Sequence, residues 1–405
     1  MKIRSITVFA DLSPVLEAAL LNQAGNFAKK AKQAYETAGF EVQTTRLATH
    51  ILPKLANSQW AQNPEKFAVA LEQACQEQGF EYISAGPASR DMLPAIPEIL
   101  GETQSVFATA QIIDPGTCRI NGDIIRAAAA VMHKAAAIEE GFGNLRFAAL
   151  ANVPAGTPFF PAAYHDDDSP SFAIATESAD LAVTACQEAQ DAESARLNLI
   201  AAIESQAARI TQVAQQLAAE QNIRFGGIDF SLAPYPTPEI SIGAALELLS
   251  GQPLGSAGTL SAAAILTEAI DQARFPHAGF SGLMLPVLED AILGQRAAEG
   301  KLNVGELLQW SSVCGTGLDT VPLPGDVTES ALARVLFDVA ALSSRLHKPL
   351  TARLMPLPGK VAGDPVHFDF AYFADGGVLP LNGGTNQGLL TPTKALHLHP
   401  RQPRD

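Results

Sequence analysis

Residues 311–326 read SSVCGTGLDTVPLPGD, and this stretch decides the fold. A short apolar approach ends in Cys314. Two glycines, Asp319, two prolines and Asp326 follow. Residues 328–347 then repeat apolar side chains at helical spacing, which predicts an amphipathic helix. The order is that of a buried strand entering a tight loop and then a helix, the repeating unit of parallel α/β sheets.

The same order occurs 90 residues earlier: Gly227-Ile228-Asp229 corresponds to Gly317-Leu318-Asp319, Pro234 to Pro324, and Glu239 to Glu329. A duplicated strand–loop–helix unit would put Asp229 and Asp319 at equivalent strand ends. Ligands of α/β folds collect at carboxyl ends of strands. The two aspartates are therefore expected as paired site carboxylates, with a chance match as the alternative.

Working outward, the amino-terminal part alternates strands (2–10, 41–47, 80–85, 105–109, 145–152) with helices. The first helix spans 13–38, with Ser13-Pro14 as cap and first position, and stops at Gly39; another covers 64–78. Helices are expected at 177–190 and 193–221, a strand at 225–230, and helices at 238–249, 259–273, 286–299 and 304–310. Residues 350–381 carry Pro and Gly in a strand-like pattern and read as a hairpin packed on a barrel. The chain divides into a single α/β domain, 1–382, and a carboxyl-terminal arm, 383–405, rich in Gly, Asn and Pro.

Of the 405 residues 47% are apolar and 17% charged, enough for a large core. The net charge of −15 is spread along the chain, which excludes nucleic acid and anionic membrane as main partners. Four scattered cysteines form no C-x-x-C pair, so neither a zinc motif nor a disulfide framework is read. The first residues lack the apolar core of a signal peptide, and a cytoplasmic location is expected.

Several residues could carry chemistry. Cys314 is a candidate nucleophile if a cation lowers its pKa, and otherwise a small buried hydrophobe. Asp319 can serve as general base or metal ligand, whereas Asp326 fits a helix cap. Residues 152–168, NVPAGTPFFPAAYHDDD, open with Asn152 and end in His165 and three aspartates. A hard cation could take His165 and Asp167 with Glu177 or Asp229, or the aspartates could be a solvated turn. Ser231 and Asp229 share a strand exit, without the G-x-S-x-G of a serine-hydrolase elbow. Glu289 and Asp290 are read one turn into a helix. Arg353, Arg4 and Arg126 are cations suited to a substrate carboxylate or phosphate. Neither a Walker A loop nor a Rossmann fingerprint is present.

Seven blocks in order carry a family resemblance: KIRSITV, INGDIIRAAAAVMHKAA, FAALANVPAGTPFFPAAYH, GIDFSLAPYP, AGFSGLMLPVLEDAILGQ, VCGTGLDTVPLPGD and TARLMPLPGKVAGDPVHF. Together they resemble a prokaryotic family of unknown function, domain of unknown function 711, also labelled the "PFL family" for a fold similar to pyruvate formate-lyase. The resemblance implies an α/β barrel of two parallel half-sheets, antiparallel to each other and surrounded by helices. It does not imply radical chemistry. In place of an Arg-x-Ser-Gly-Tyr type loop the chain reads NGGTNQGLLTPTK, and no adjacent cysteine pair exists.

The expectation is an enzyme of lyase or hydrolase type acting on a small anionic metabolite inside the barrel. Asp229 and Asp319 would be acid/base carboxylates, Cys314 an auxiliary nucleophile, and His165 a proton shuttle. Arg353, Ser231 and Asn152 would bind substrate, and a divalent metal, on Asp229 and His165, is the cofactor considered. The alternative is a metabolite-sensing protein without catalysis. A homo-oligomer is expected from the alanine-rich helices, and an ACT-type regulatory protein is the partner the resemblance implies.

Overall fold

A computed structural model describes residues 1–12, 18–50, 63–117, 119–381 and 395–401. The helix cap expected at Ser13-Pro14, Cys118 and most of the 383–405 arm lie outside them.

The architecture is mixed α/β, with a large, mostly parallel central sheet surrounded by helices. Its strands are β1 (Lys2–Phe9), β2 (Val42–Ala48), β3 (Tyr82–Pro87), β4 (Val106–Asp114), β5 (Arg119–Ile120), β6 (Phe147–Ala151), β7 (Ser171–Glu177), β8 (Arg224–Ala233), β9 (Gly317–Pro324) and β10 (Leu350–Leu357). The main order is β8-β7-β1-β2-β3-β4-β6-β10-β9. From β1 through β6 this path is parallel; β7 runs antiparallel to β1, and β10 antiparallel to β6. Each reversed strand carries a parallel partner, β8 on β7 and β9 on β10. Strands of a sheet covered on both faces are expected to be continuously buried, and β6, β7 and β10 are buried at every residue.

Beyond the two end strands, residues 276–287 carry backbone bonds to both. Ile228 N donates to Pro276 O at 2.7 Å, and Leu232 N to Gly282 O at 3.2 Å. On the other side Leu283 N donates to Cys314 O at 2.7 Å and Val287 N to Asp319 O at 3.1 Å.

The helices cover the sheet through apolar stripes. Glu329–Leu346 buries Leu332, Val335, Leu336, Val339 and Ala340 at helical spacing. It packs against Gly122–Ala135, and each large buried aliphatic side chain contributes about 1.5–3 kcal/mol.

Several expectations are corrected. The approach to Cys314 is helical: Val304–Cys314 continues four residues past the expected end, buries Leu307, Trp310, Ser311 and Cys314 on one face, and stops at Gly315 in the left-handed region. The strand begins at Gly317. A capping box between Asn303 and Glu306 and the 3.6-residue period outweigh the strand-like composition. Asp326 does not cap the next helix; Thr328 does, accepting from Ala331 N. Residues 287–289 form a turn in which Glu289 N donates to Pro286 O at 3.2 Å, and the helix is Ala291–Ala298 with Asp290 as its cap. Strand β7 ends at Glu177, where a helix was expected to begin. Residues 350–357 form a strand of the main sheet, and only Pro365–Val366 and Gly376–Gly377 make a small separate antiparallel pair. Leu396–His397 pairs with β5.

Candidate functional site

Six charged or aromatic side chains, one each from β1, β2, β3, β4, β9 and β10, turn toward one cavity of about 70 Å³, which residues 284–289 help to complete. Two β-bulges aim the key charges. On β1, Ile3 pairs with Thr176 and Ser5 with Ala175, so Arg4 is an extra residue against β7. On β9, Leu318 pairs with Ala352 and Val321 with Leu354, so Asp319 and Thr320 together face Arg353. Bulges re-aim side chains and recur beside active sites. Thr320, a β-branched residue at φ 40, marks the strain of the second bulge.

The charges form a buried chain: Glu177, Arg4, Glu289, Arg353, Asp319. Arg4 Nη1 donates to Glu177 Oε2 at 3.1 Å and to Pro234 O at 3.2 Å, and its Nη2 donates to Glu289 Oε2. Arg353 donates from Nε to Asp319 Oδ1 at 2.6 Å, from Nη2 to Glu289 Oε1 at 2.6 Å, and from Nη1 to Leu145 O at 3.2 Å. Gln43 adds a bond to Glu177 Oε2 at 2.7 Å. Burial raises the pKa of Asp319, with Arg353 opposing and nearby Glu289 adding to the rise. Burial likewise raises Glu177 against the pull of Arg4. Arg4 and Arg353 lose solvation, but their carboxylate neighbours hold both above the usual arginine value. Such a chain is costly to break, because removing one member strands a buried charge.

Arg46 is different. Its Nε donates to Thr44 Oγ1 at 2.9 Å, and its guanidinium lies over Tyr82 and Phe160, 5.3 and 5.2 Å from the ring centres. No ion pair to it exists among the described residues. Burial, and then the positive charge of Arg4, push its pKa down to about 10. Its Nη1 and Nη2, and Asp319 Oδ2, carry no hydrogen bond among the described residues. These three atoms belong to residues of the same cavity wall.

Of the residues expected from sequence, Asp319 and Arg353 are brought together. Neither aspartate of the echo is at a strand's carboxyl end: Asp319 is third in β9, and Asp229 lies within β8. The Asp229 carboxylate is occupied. Oδ1 accepts from Ser231 Oγ at 2.7 Å, Ser231 N at 3.2 Å and Ser281 N at 2.8 Å, while Oδ2 accepts from Phe280 N at 2.7 Å. Burial pushes its pKa up to about 6 against those bonds. Asp229 and Ser231 thus anchor the 276–287 segment, and neither lines the charged cavity.

Cys314 is fully buried with its Sγ 3.9 Å from Thr316 Oγ1. Asn152, at φ 54, donates to Ser343 Oγ at 2.9 Å and ties β6 to a covering helix. Arg126 pairs with Asp123 on a helix surface. His165 lies apart from the charge chain, buried beside His50 and lining a second cavity of about 550 Å³. Burial and His50 push its pKa down to about 4. No group of three or more His, Cys, Asp and Glu suited to a metal occurs among the described residues.

Sequence reasoning missed Arg46 and the roles of Glu177 and Glu289: Glu177, considered as a cation ligand beside His165, instead pairs with Arg4. A signal existed for Arg46: an arginine inside TTRLA, a strand otherwise free of charge. Charged residues within buried strands are almost never unpaired without cause. Glu289 is concealed because it reads as the first turn of a helix.

Comparison with known proteins agrees with the motif blocks. Residues 1–372 match the family model described as Uncharacterised ACR (DUF711). A UPF0210 protein of Acetivibrio thermocellus is 29% identical over 367 residues, covering 85% of this chain and 80% of that protein. UPF0210 proteins of Pyrobaculum islandicum and Pyrobaculum arsenaticum are 33% and 34% identical, over 70% and 71% of this chain. The aligned parts cover 64% and 65% of those two proteins, slightly under two thirds of their length. No helix among the described residues is long and apolar enough to cross a membrane.

Proposed function

The chain belongs to the uncharacterised DUF711 family, and on that premise we propose an enzyme of lyase or hydrolase type that acts on a small anionic metabolite held in the charged cavity. The end strands β8 and β9 are read as closing into a barrel through residues 276–287, in the manner of pyruvate formate-lyase. The cavity is then the barrel interior. Support for closure comes from the backbone bonds that this segment makes to both end strands.

The observation that carries the reading is Arg46. A buried guanidinium without a carboxylate partner is costly unless an anion completes it. The free volume is about 70 Å³, room for a few waters, which suits an oxyanion of few heavy atoms. Arg46 would take the anion through Nη1 and Nη2, and Tyr82 and Phe160 would hold the guanidinium in place. Asp319 Oδ2 would exchange a proton with the bound molecule, since burial raises its pKa toward the range useful for acid–base work.

A second reading is favoured by the charge chain: four of its five members are engaged on more than one side, leaving few groups free to react. On that reading the cavity senses a metabolite. Thermal melting with small carboxylates and phosphate separates the cases. Wild type should gain several degrees with the right anion. Arg46→Met should lose that gain while melting no lower than wild type alone, since it removes an unpaired buried charge. Consumption of the stabilising anion would identify an enzyme, and its persistence a sensor. If no small anion shifts melting, or Arg46→Met keeps the shift, the anion site is wrong.

A further inference from the structure

We propose that His50 and His165 form a second site, separate from the charged cavity, that binds a divalent late first-row metal ion such as Zn²⁺ or Co²⁺. Both side chains are only 2% exposed. Backbone geometry locks them side by side: His165 N donates to Thr49 O at 2.8 Å, and residues 50 and 165 form a parallel bridge. Their ring centres are 4.7 Å apart, with planes inclined by 50°.

Among the described residues each ring leaves a buried nitrogen without a hydrogen-bond partner, Nδ1 of His50 and Nε2 of His165. Buried polar atoms are almost always hydrogen-bonded, so two orphans on neighbouring rings call for an occupant. The carboxylate of Asp11 sets the tautomer of His50. Its Oδ2 is 3.5 Å from His50 Nε2, which favours the proton on that nitrogen and leaves a lone pair on Nδ1. A carboxylate on the far nitrogen of a ligating histidine is the usual outer support of a metal site.

The surroundings favour a cation. The adjoining cavity is lined by Asp166, Asp167 and Asp271, against the single guanidinium of Arg224. Neutral imidazole suits zinc, copper, nickel and cobalt more than magnesium or calcium. A metal bonded at about 2.0–2.1 Å to each nitrogen requires two rings in this kind of proximity. Two protein ligands leave the remaining positions to water or a bound molecule. Asp229 takes no part, because both its oxygens are already occupied.

The test uses the full chain without an affinity tag, stripped with a chelator and titrated with Zn²⁺ by calorimetry and with Co²⁺ by visible absorption. One ion per chain, with cobalt d–d bands, is expected. His50→Gln and His165→Gln should each weaken binding by at least about tenfold, the low end of what losing even an outer-shell partner costs. Asp319→Asn should bind as wild type. Circular dichroism and melting without metal establish that the variants fold. If both variants unfold, ¹⁵N shifts of wild type decide, since zinc must move the ring nitrogens of two histidines. Absence of stoichiometric binding at millimolar metal, or unchanged binding in both Gln variants, overturns the site and leaves the two nitrogens to a buried water.

Discussion

Asp319 and Arg353 meet across neighbouring parallel strands, Oδ1 to Nε at 2.6 Å, at a bulge where two residues of β9 face one of β10. The bulge turns the Asp319 carboxylate toward the guanidinium, and its other oxygen has no hydrogen bond among the described residues. Arg353 continues to Glu289, Glu289 to Arg4, and Arg4 to Glu177. Two arginines are thus neutralised by three carboxylates, while Arg46 on β2 is not.

Glu289 joins the two arginines of the chain, so its charge should dominate stability there. Glu289→Gln leaves Arg4 and Arg353 partly uncompensated in a buried setting. The expected cost is about 3–5 kcal/mol, as for other broken buried pairs. Urea unfolding measures it, and a loss below about 1 kcal/mol, typical of exposed pairs, would show that water screens the chain.

Asp229 should give stability a distinctive pH dependence. The folded carboxyl keeps its proton up to about pH 6, whereas the ordinary value is 3.8. Between these values the folded state binds more protons than the unfolded one, so stability from this group is present at low pH and declines as pH rises toward 6. The decline is at most about 3 kcal/mol for a shift of this size. Asp229→Asn should be less stable at pH 4 by about 1–3 kcal/mol, because an amide nitrogen faces a backbone donor. It should also show a flatter profile from pH 4 to 6. Parallel profiles for the two proteins would contradict the shift.

Gly279 makes the anchor of the 276–287 segment possible. It adopts φ +60, and a Cβ there would overlap Asp229 Oδ2. Gly279→Ala should cost more than about 2 kcal/mol, combining backbone strain with overpacking. Hydrogen exchange at the Phe280 and Ser281 amides should accelerate together, since both donate to Asp229. Fast exchange at one alone would mean the carboxylate does not hold them as a unit.

Local signals made much of the fold legible. The helix Glu329–Leu346 follows from apolar spacing, the early strand–helix alternation from glycine stops, and the family from blocks such as GIDFSLAPYP. Errors arose where two elements share a composition. Residues 311–314 look like a strand entrance but continue a helix, because burial of Leu307, Trp310 and Cys314 on one face is a period-3.6 property. Strand β7 escaped notice because seven residues beside a polar turn give little periodicity.

The candidate site divides along the same line. Sequence alone determined the strand–loop–helix units, the absence of familiar cofactor motifs, and Asp319 and Arg353 as residues to watch. Only tertiary structure decided which charges meet. The parallel echo of Asp229 and Asp319 suggested one shared site, yet four hydrogen bonds commit Asp229 to backbone and Ser231, and Asp319 faces Arg353. Arg46 and Glu289 line one cavity from positions more than 100 residues apart in the chain, and His50 meets His165 across a similar gap. Their proximity depends on strand order and bulge positions, and no local pattern encodes those.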